Sequence, residues 1–200
     1  MPKSGKLKRI KKRDYYAQEV EQSIENGEID LDNLIFIDES GTKLGETSDY
    51  AYAQSGQRVS SAEPKNKGNN ISIISAIGLS GVIAAMFCSC TFDSRAFECF
   101  IERHLLPSLR PGHILILDNV SFHKSNAIKE SLNRLGVRIV FLPPYSPELN
   151  PIENMWSKIK SYLRSKMIKT IKDFQYYLKK AQESVTEEDC EGWFSHCGYI

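Results

Sequence analysis

Three carboxylates stand out by residue type and by setting. Asp38 follows the apolar run Leu34-Ile35-Phe36-Ile37, and Asp118 follows Ile114-Leu115-Ile116-Leu117. A short all-apolar run predicts a strand buried on both faces, at the centre of a sheet. In open α/β sheets, side chains leave the core and converge at the carboxyl ends of such strands. Asp also begins loops for purely local reasons, and for two acids in matching context the two readings are evenly balanced. The third carboxylate is Glu153, in the stretch Pro143-Pro-Tyr-Ser-Pro-Glu-Leu-Asn-Pro-Ile-Glu-Asn-Met-Trp156. There Asn150 is the expected N-cap and Pro151 the first helical residue, where a missing N–H costs nothing. Glu153 then falls in the first turn, where the helix dipole favours an anion. A capping acid needs no further role, yet a rigid proline-rich loop sets the start of this helix accurately. Glu148 competes from the same loop, and Glu153 is preferred because a helical residue is held more firmly.

Three hard carboxylates with no His or Cys partner suit Mg²⁺ or Mn²⁺ rather than zinc. Two such ions, roughly 3.5–4 Å apart, activate an attacking hydroxyl and stabilise the leaving 3′ oxygen of a phosphodiester. Lys160 lies seven residues after Glu153 at nearly the same azimuth, so it either contacts a phosphate beside the metals or is a plain surface lysine. Cys88, Cys90, Cys99, Cys190 and Cys197 form an odd set without repeated CxxC spacing. They read as buried or idle thiols in a reducing interior, and not as a disulfide framework or a zinc site.

The elements that must position these groups follow from patterning. Tyr15 to Glu25 predicts a helix with Ala17, Val20 and Ile24 on one stripe, stopped by Asn26-Gly27. Residues 50–54 and 57–60 suggest short strands, and 71–77 with 82–88 a hairpin around Gly78-Leu79-Ser80-Gly81. Asp93 to Leu106 is helical by pattern, with Phe97, Phe100, Ile101 and Leu105 on one face. A helix over Ser125–Leu135 closes at Gly136, and Val137–Leu142 is the next strand. From Ile152 the stripe Ile152, Trp156, Ile159, Leu163, Met167 predicts an amphipathic helix with Trp156 in the core. A further helix covers roughly 171–185, and the tail beyond Glu187 shows no usable pattern. The order predicts a mixed α/β layer fold.

Charge is uneven although the net is only +1. Seven Lys and Arg precede the first acid, Asp14, and eight more lie between Lys158 and Lys180 against Asp173 alone. Lys158, Lys160 and Arg164 are therefore candidate contacts to a polyanion such as DNA. The longest apolar stretch, Ile71 to Phe87, is too short and too broken to span a bilayer, and no signal peptide is visible; a cytoplasmic protein without membrane contact is expected.

Three stretches carry a family resemblance: Phe36-Ile-Asp-Glu-Ser-Gly41, Leu117-Asp-Asn-Val-Ser-Phe-His123 and Leu142-Pro-Pro-Tyr-Ser-Pro-Glu-Leu-Asn-Pro-Ile-Glu-Asn-Met-Trp-Ser157, with 34 residues between Asp118 and Glu153. The chain resembles the catalytic domain of DDE transposases of the Tc–mariner superfamily, in its bacterial insertion-sequence branch. The likeness covers about residues 30–170, with 10–30 similar to an interdomain connector. It implies an RNase H-like mixed sheet flanked by helices, with Asp38, Asp118 and Glu153 as the metal-binding, catalytic triad. Asn119 and His123 match the family motif, and each either supports the metal site or caps the turn into the helix at 125; Asn150 is a further supporting candidate. The expected organisation is a basic arm and connector helix (1–30), a catalytic domain (31–170) and a helical extension (171–200). The expected activity is DNA cleavage and strand transfer on transposon ends and target, by a homodimer on DNA. The alternatives are a hydrolytic nuclease of the same fold and an inactive DNA-binding remnant. Family members carry a helix-turn-helix region before this domain; about thirty residues precede the first strand here, which suggests a second reading frame, a truncated copy or a domain fragment.

Overall fold

The computed structural model describes residues 14–46, 55, 68–118 and 126–200. Helical residues 14–25 (α1) lead in, with a π turn over Ala17–Glu21 before the α-turn Gln22–Glu25. Gly27, at φ +72°, ends the segment in the left-handed conformation that glycine adopts without penalty. Then come β1 (Leu34–Lys43), β2 (Asn70–Gly78), β3 (Gly81–Cys88), α2 (Ser94–Phe100), β4 (Ile114–Leu117), α3 (Asn126–Arg134), β5 (Arg138–Phe141), α4 (Ile152–Arg164), α5 (Ile171–Glu183) and α6 (Glu187–His196). The strands form one mixed sheet in the order β3-β2-β1-β4-β5. β1 is its hinge of direction: antiparallel to β2 and parallel to β4, which is parallel to β5.

The apolar runs in β1 and β4 have no polar alternation because helices cover both faces. Leu34, Phe36, Ile114 and Ile116 face one layer, built by α1, α4, α5 and α6 with Trp156, Phe174 and Phe194. Ile35, Ile37, Leu115 and Leu117 face the other, built by α2 and α3 with Phe97, Phe100 and Leu132. The hairpin expected around 78–81 forms, with Gly81 at φ +119° in its turn. A bulge follows, because Ala76 pairs with Ala84 but Ile77 with Val82, leaving Ile83 as the extra residue. Among the described residues, no helix is long and apolar enough to cross a membrane.

Several elements differ from the sequence reading. β1 does not stop before Asp38 but runs on to Lys43, because β2 continues the pairing on its other edge after β4 has ended. The helix expected over 93–106 is α only to Phe100 and then widens to a π turn over Ile101–Leu105, although the four predicted apolar residues are all buried. Met167 leaves the α4 stripe: the helix ends at Arg164, and Met167 sits at φ +49° and 59% exposed. Met155 takes a place in that buried face instead. The tail forms α6, started by a capping box in which Thr186 and Asp189 satisfy each other's backbone N–H. The short strands expected at 50–54 and 57–60 lie outside the described residues, as does the basic arm 1–13.

Candidate active site

Register places the two aspartates. Phe36 lies opposite Ile116, and Ile37 opposite Leu117, so Asp38 and Asp118 are the next residues along adjacent parallel strands. Both continue the parity of Leu34, Phe36, Ile114 and Ile116, and so leave the sheet on the α4 side. Glu153 stands in the first turn of α4, on that same side. Asp38, Asp118 and Glu153 line one groove with Asn150, closed on its far side by the loop Leu142–Pro147. Tyr145 holds φ +61° in that loop, a left-handed conformation that strains a side-chain-bearing residue.

Asp38 is the perturbed member. Its carboxyl is pushed up from the ordinary 3.8 to about 7, first by burial and then by the negative charges of Glu153 and Asp118. Hydrogen bonds oppose this rise: the Glu39 backbone N–H donates to it, and Trp156 donates its indole Nε1–H to Oδ2 at 3.1 Å. Trp156 is 2% exposed, so it is a core residue as expected, with a further task that its place on the apolar stripe did not reveal. The indole fixes which way the Asp38 carboxylate points.

Asn150 does not cap α4 through its side chain. The helix starts at Ile152 after Pro151, and it is the Asn150 backbone carbonyl that accepts the Glu153 N–H, at 3.2 Å. Asn150 Oδ1 is left buried with no hydrogen-bond partner among the described residues. An orphaned buried oxygen costs about 1–3 kcal/mol unless something in the groove uses it. Three carboxylates and a spare amide oxygen make an all-oxygen donor set, the kind that fits a hard divalent cation. Among the described residues, no three His, Cys, Asp or Glu side chains are already clustered as a metal cage. The three carboxylates border the groove without forming such a cage, and of them Glu153 is exposed.

The basic candidates divide. Lys158 is committed within the fold: its ammonium contacts Asp189 of α6 and donates to the Ser184 carbonyl at 2.8 Å, tying α4 to α6. Arg164 lies 3.8 Å from Glu46. Lys160 stays half-buried on α4; against the effect of burial, the Thr42 hydroxyl and the Lys43 N–H hold the Glu46 carboxyl below its usual range, with smaller help from Arg164 and Lys160. Asn119 and His123 lie outside the described residues. The cysteines 88, 90, 99, 190 and 197 are free thiols, and burial pushes those of Cys190 and Cys197 up to about 11.

Comparison with known proteins finds the same fold elsewhere. The Mos1 mariner transposase superposes on 96% of the chain in its pre-cleavage transpososome, with TM-score 0.75 and 15% identity, and this chain covers 60% of that one. The isolated Mos1 catalytic domain gives TM-score 0.67 at 13% identity, covering 94% of this chain and 88% of that one. Other Mos1 paired-end complexes were solved with Mn and with Mg. At such identities the likeness shows the fold, which is the RNase H-like mixed sheet. By sequence, the Tcb2 transposase of Caenorhabditis briggsae is 33% identical over 76 residues, 36% of this chain and 28% of that protein. An uncharacterized Sinorhizobium fredii protein, y4pE/y4sA, is 38% identical over 61 residues, 30% of this chain and 43% of that protein. The matched stretches thus span less than half the length of these relatives. The DDE superfamily endonuclease family matches residues 33–175, from the strand that carries Asp38 to the start of α5. The chain belongs to the DDE superfamily endonucleases.

Proposed function

We propose that this chain is the catalytic domain of a DNA transposase, cutting phosphodiester bonds and transferring the freed 3′ ends to a target. The observation that carries the reading is the shared groove: two aspartates leave adjacent parallel strands at one level, beneath the helix whose first turn holds Glu153. In this reading Asp38, Asp118 and Glu153 hold Mg²⁺ or Mn²⁺. Bound there, the cations supply Lewis-acid stabilisation of the attacking and leaving oxygens of an in-line displacement. The chain's own part is to hold its ligands in place. Trp156 orients Asp38, the proline-rich loop sets the start of α4, and Asn150 offers an oxygen beside the carboxylates. No covalent enzyme intermediate is needed, because water or a DNA 3′-OH is the nucleophile.

The finer assignments belong to the same proposal. The partner is DNA, as transposon ends and target, engaged by a homodimer; Lys160 and the basic arm 1–13 are its phosphate contacts. Residues 1–30 form the arm and connector, 31–170 the catalytic domain and 171–200 the helical extension. The five free thiols support a reducing, cytoplasmic setting.

Nicking of labelled duplex DNA, with strand transfer of precleaved ends, tests the reading. Asp118→Asn, which keeps shape and loses charge, should reduce both by more than about 100-fold while the protein still folds and binds DNA. Full nicking by this variant overturns the metal-site assignment. Cleavage without joining in the parent leaves a nuclease of the same fold.

A further inference from the structure

Two buried tyrosines 183 positions apart in the sequence meet behind the candidate site. Tyr16, on α1, is fully buried, and Tyr199, past α6, is 4% exposed. Their hydroxyls are hydrogen-bonded to each other. The Tyr199 hydroxyl also donates to the Leu149 carbonyl at 2.7 Å. A phenol has one proton. Tyr199 therefore gives its proton to Leu149, and Tyr16 donates to Tyr199. Burial pushes both phenols up, so neither gives up its proton at a working pH.

The relay ends on the segment that starts α4. Leu149 shares a peptide plane with Asn150, whose own carbonyl accepts the Glu153 N–H. On its other side the Tyr199 ring packs against Phe36, centroid to centroid 5.2 Å, and Phe36 is two residues before Asp38 on β1. Tyr199 thus touches both the strand that carries one carboxylate and the loop that sets another.

We infer that Tyr199, held by Tyr16, is a positioning residue for the carboxylate groove: its hydroxyl locks the Leu149–Asn150 peptide, and with it the first turn of α4 and Glu153. The inference rests on the proposed metal site, but the lock itself is a property of the metal-free fold. Partners that orient metal ligands at one remove typically cost 10–100-fold in affinity or activity when lost.

The test uses Tyr199→Phe, which keeps the ring against Phe36 and deletes only the hydroxyl, with Tyr16→Phe as the milder change. Cys197→Ala is the control, a buried substitution in the same layer that leaves both tyrosine hydroxyls in place. Amide hydrogen exchange in the metal-free proteins should show Asn150, Glu153 and Asn154 exchanging faster in Tyr199→Phe and unchanged in Cys197→Ala. Melting temperatures of the tyrosine variants should fall by only about 2–4 °C. Mn²⁺ affinity, read from the paramagnetic signal of the free ion, should weaken about 10-fold in Tyr199→Phe and less in Tyr16→Phe. In nicking, kcat should fall with KM for DNA unchanged. Unchanged exchange at Glu153 in Tyr199→Phe overturns the inference, whatever the protein's activity. The same is true if Cys197→Ala weakens Mn²⁺ binding as much. A parent protein that neither binds Mn²⁺ nor nicks DNA refutes the metal-site reading, while the exchange result still decides the lock.

Discussion

Replacing Asp38 by Asn tests the electrostatics of the groove without changing its shape. The amide oxygen still accepts the Trp156 Nε1–H that reaches Oδ2 at 3.1 Å, and only the charge is lost. A carboxyl pushed from 3.8 to about 7 keeps its proton in the folded state when the unfolded chain has already released it. Between those values the folded state binds more protons, so stability falls as pH rises from about 4 to about 7 and the whole loss is present above that. The shift corresponds to a ceiling of about 4 kcal/mol at about 1.36 kcal/mol per unit. The side chain is only part-buried and groove water screens it, so about 2 kcal/mol is the working figure. Metal-free Asp38→Asn should therefore melt about 4–8 °C above the parent at pH 8, with the gap closing towards pH 4. Saturating Mg²⁺ should narrow or reverse the gap, because the parent alone has the ligand to gain from it. Paired melting curves across pH 4–8, with chelator and with Mg²⁺, give the answer. A variant that melts below the parent at pH 8 in chelator refutes the argument, since Asp38 would then be stabilised by its surroundings and not strained by them.

Trp156→Phe removes the indole donor while keeping an aromatic body in the core. It should cost about 1–2 kcal/mol of stability and about 10-fold in Mn²⁺ affinity, measured by denaturant melts and metal titration. Lys160→Met should lower the slope of log affinity for DNA against log salt by about 1, while Lys158→Met should leave that slope alone and lower the melting temperature instead. Fluorescence anisotropy over a salt series and thermal melts separate these outcomes, and equal slopes for the two variants would remove Lys160 from the DNA surface.

Much of the frame is legible in the residues themselves. The two all-apolar runs announce parallel strands buried on both sides, and the stripe from Ile152 to Leu163 announces α4, because period and burial are local signals. What the sequence hides is decided by partners far along the chain. β1 extends past Asp38 only because β2 continues to pair with it, so the acid sits within a strand and not at its end. Lys158 reads as a surface cation until α6 folds back and brings Asp189 to it. Asn150 reads as an N-cap, yet its backbone carbonyl does that work and its side chain turns to the groove. The α6 start was visible, since Thr186-Glu187-Glu188-Asp189 is a capping-box pattern, but the polar face around it masked the helix. The relation of Trp156 to Asp38 had no sequence signal, because 118 positions separate them.

The contact between Tyr16 and Tyr199 spans 183 positions of sequence. Contacts between residues so far apart add to the contact order, and their closure entropy must be spent before the contact returns anything. The sheet pairs residues nearer in sequence, whereas the loop ahead of Glu153 gains the Tyr199 anchor only once residue 199 has been synthesised and docked. Contact order therefore predicts that a nascent or refolding chain acquires its shape before a fixed groove. For a protein whose proposed chemistry breaks DNA, the fixing of the groove thus depends on a contact between residues far apart in the sequence.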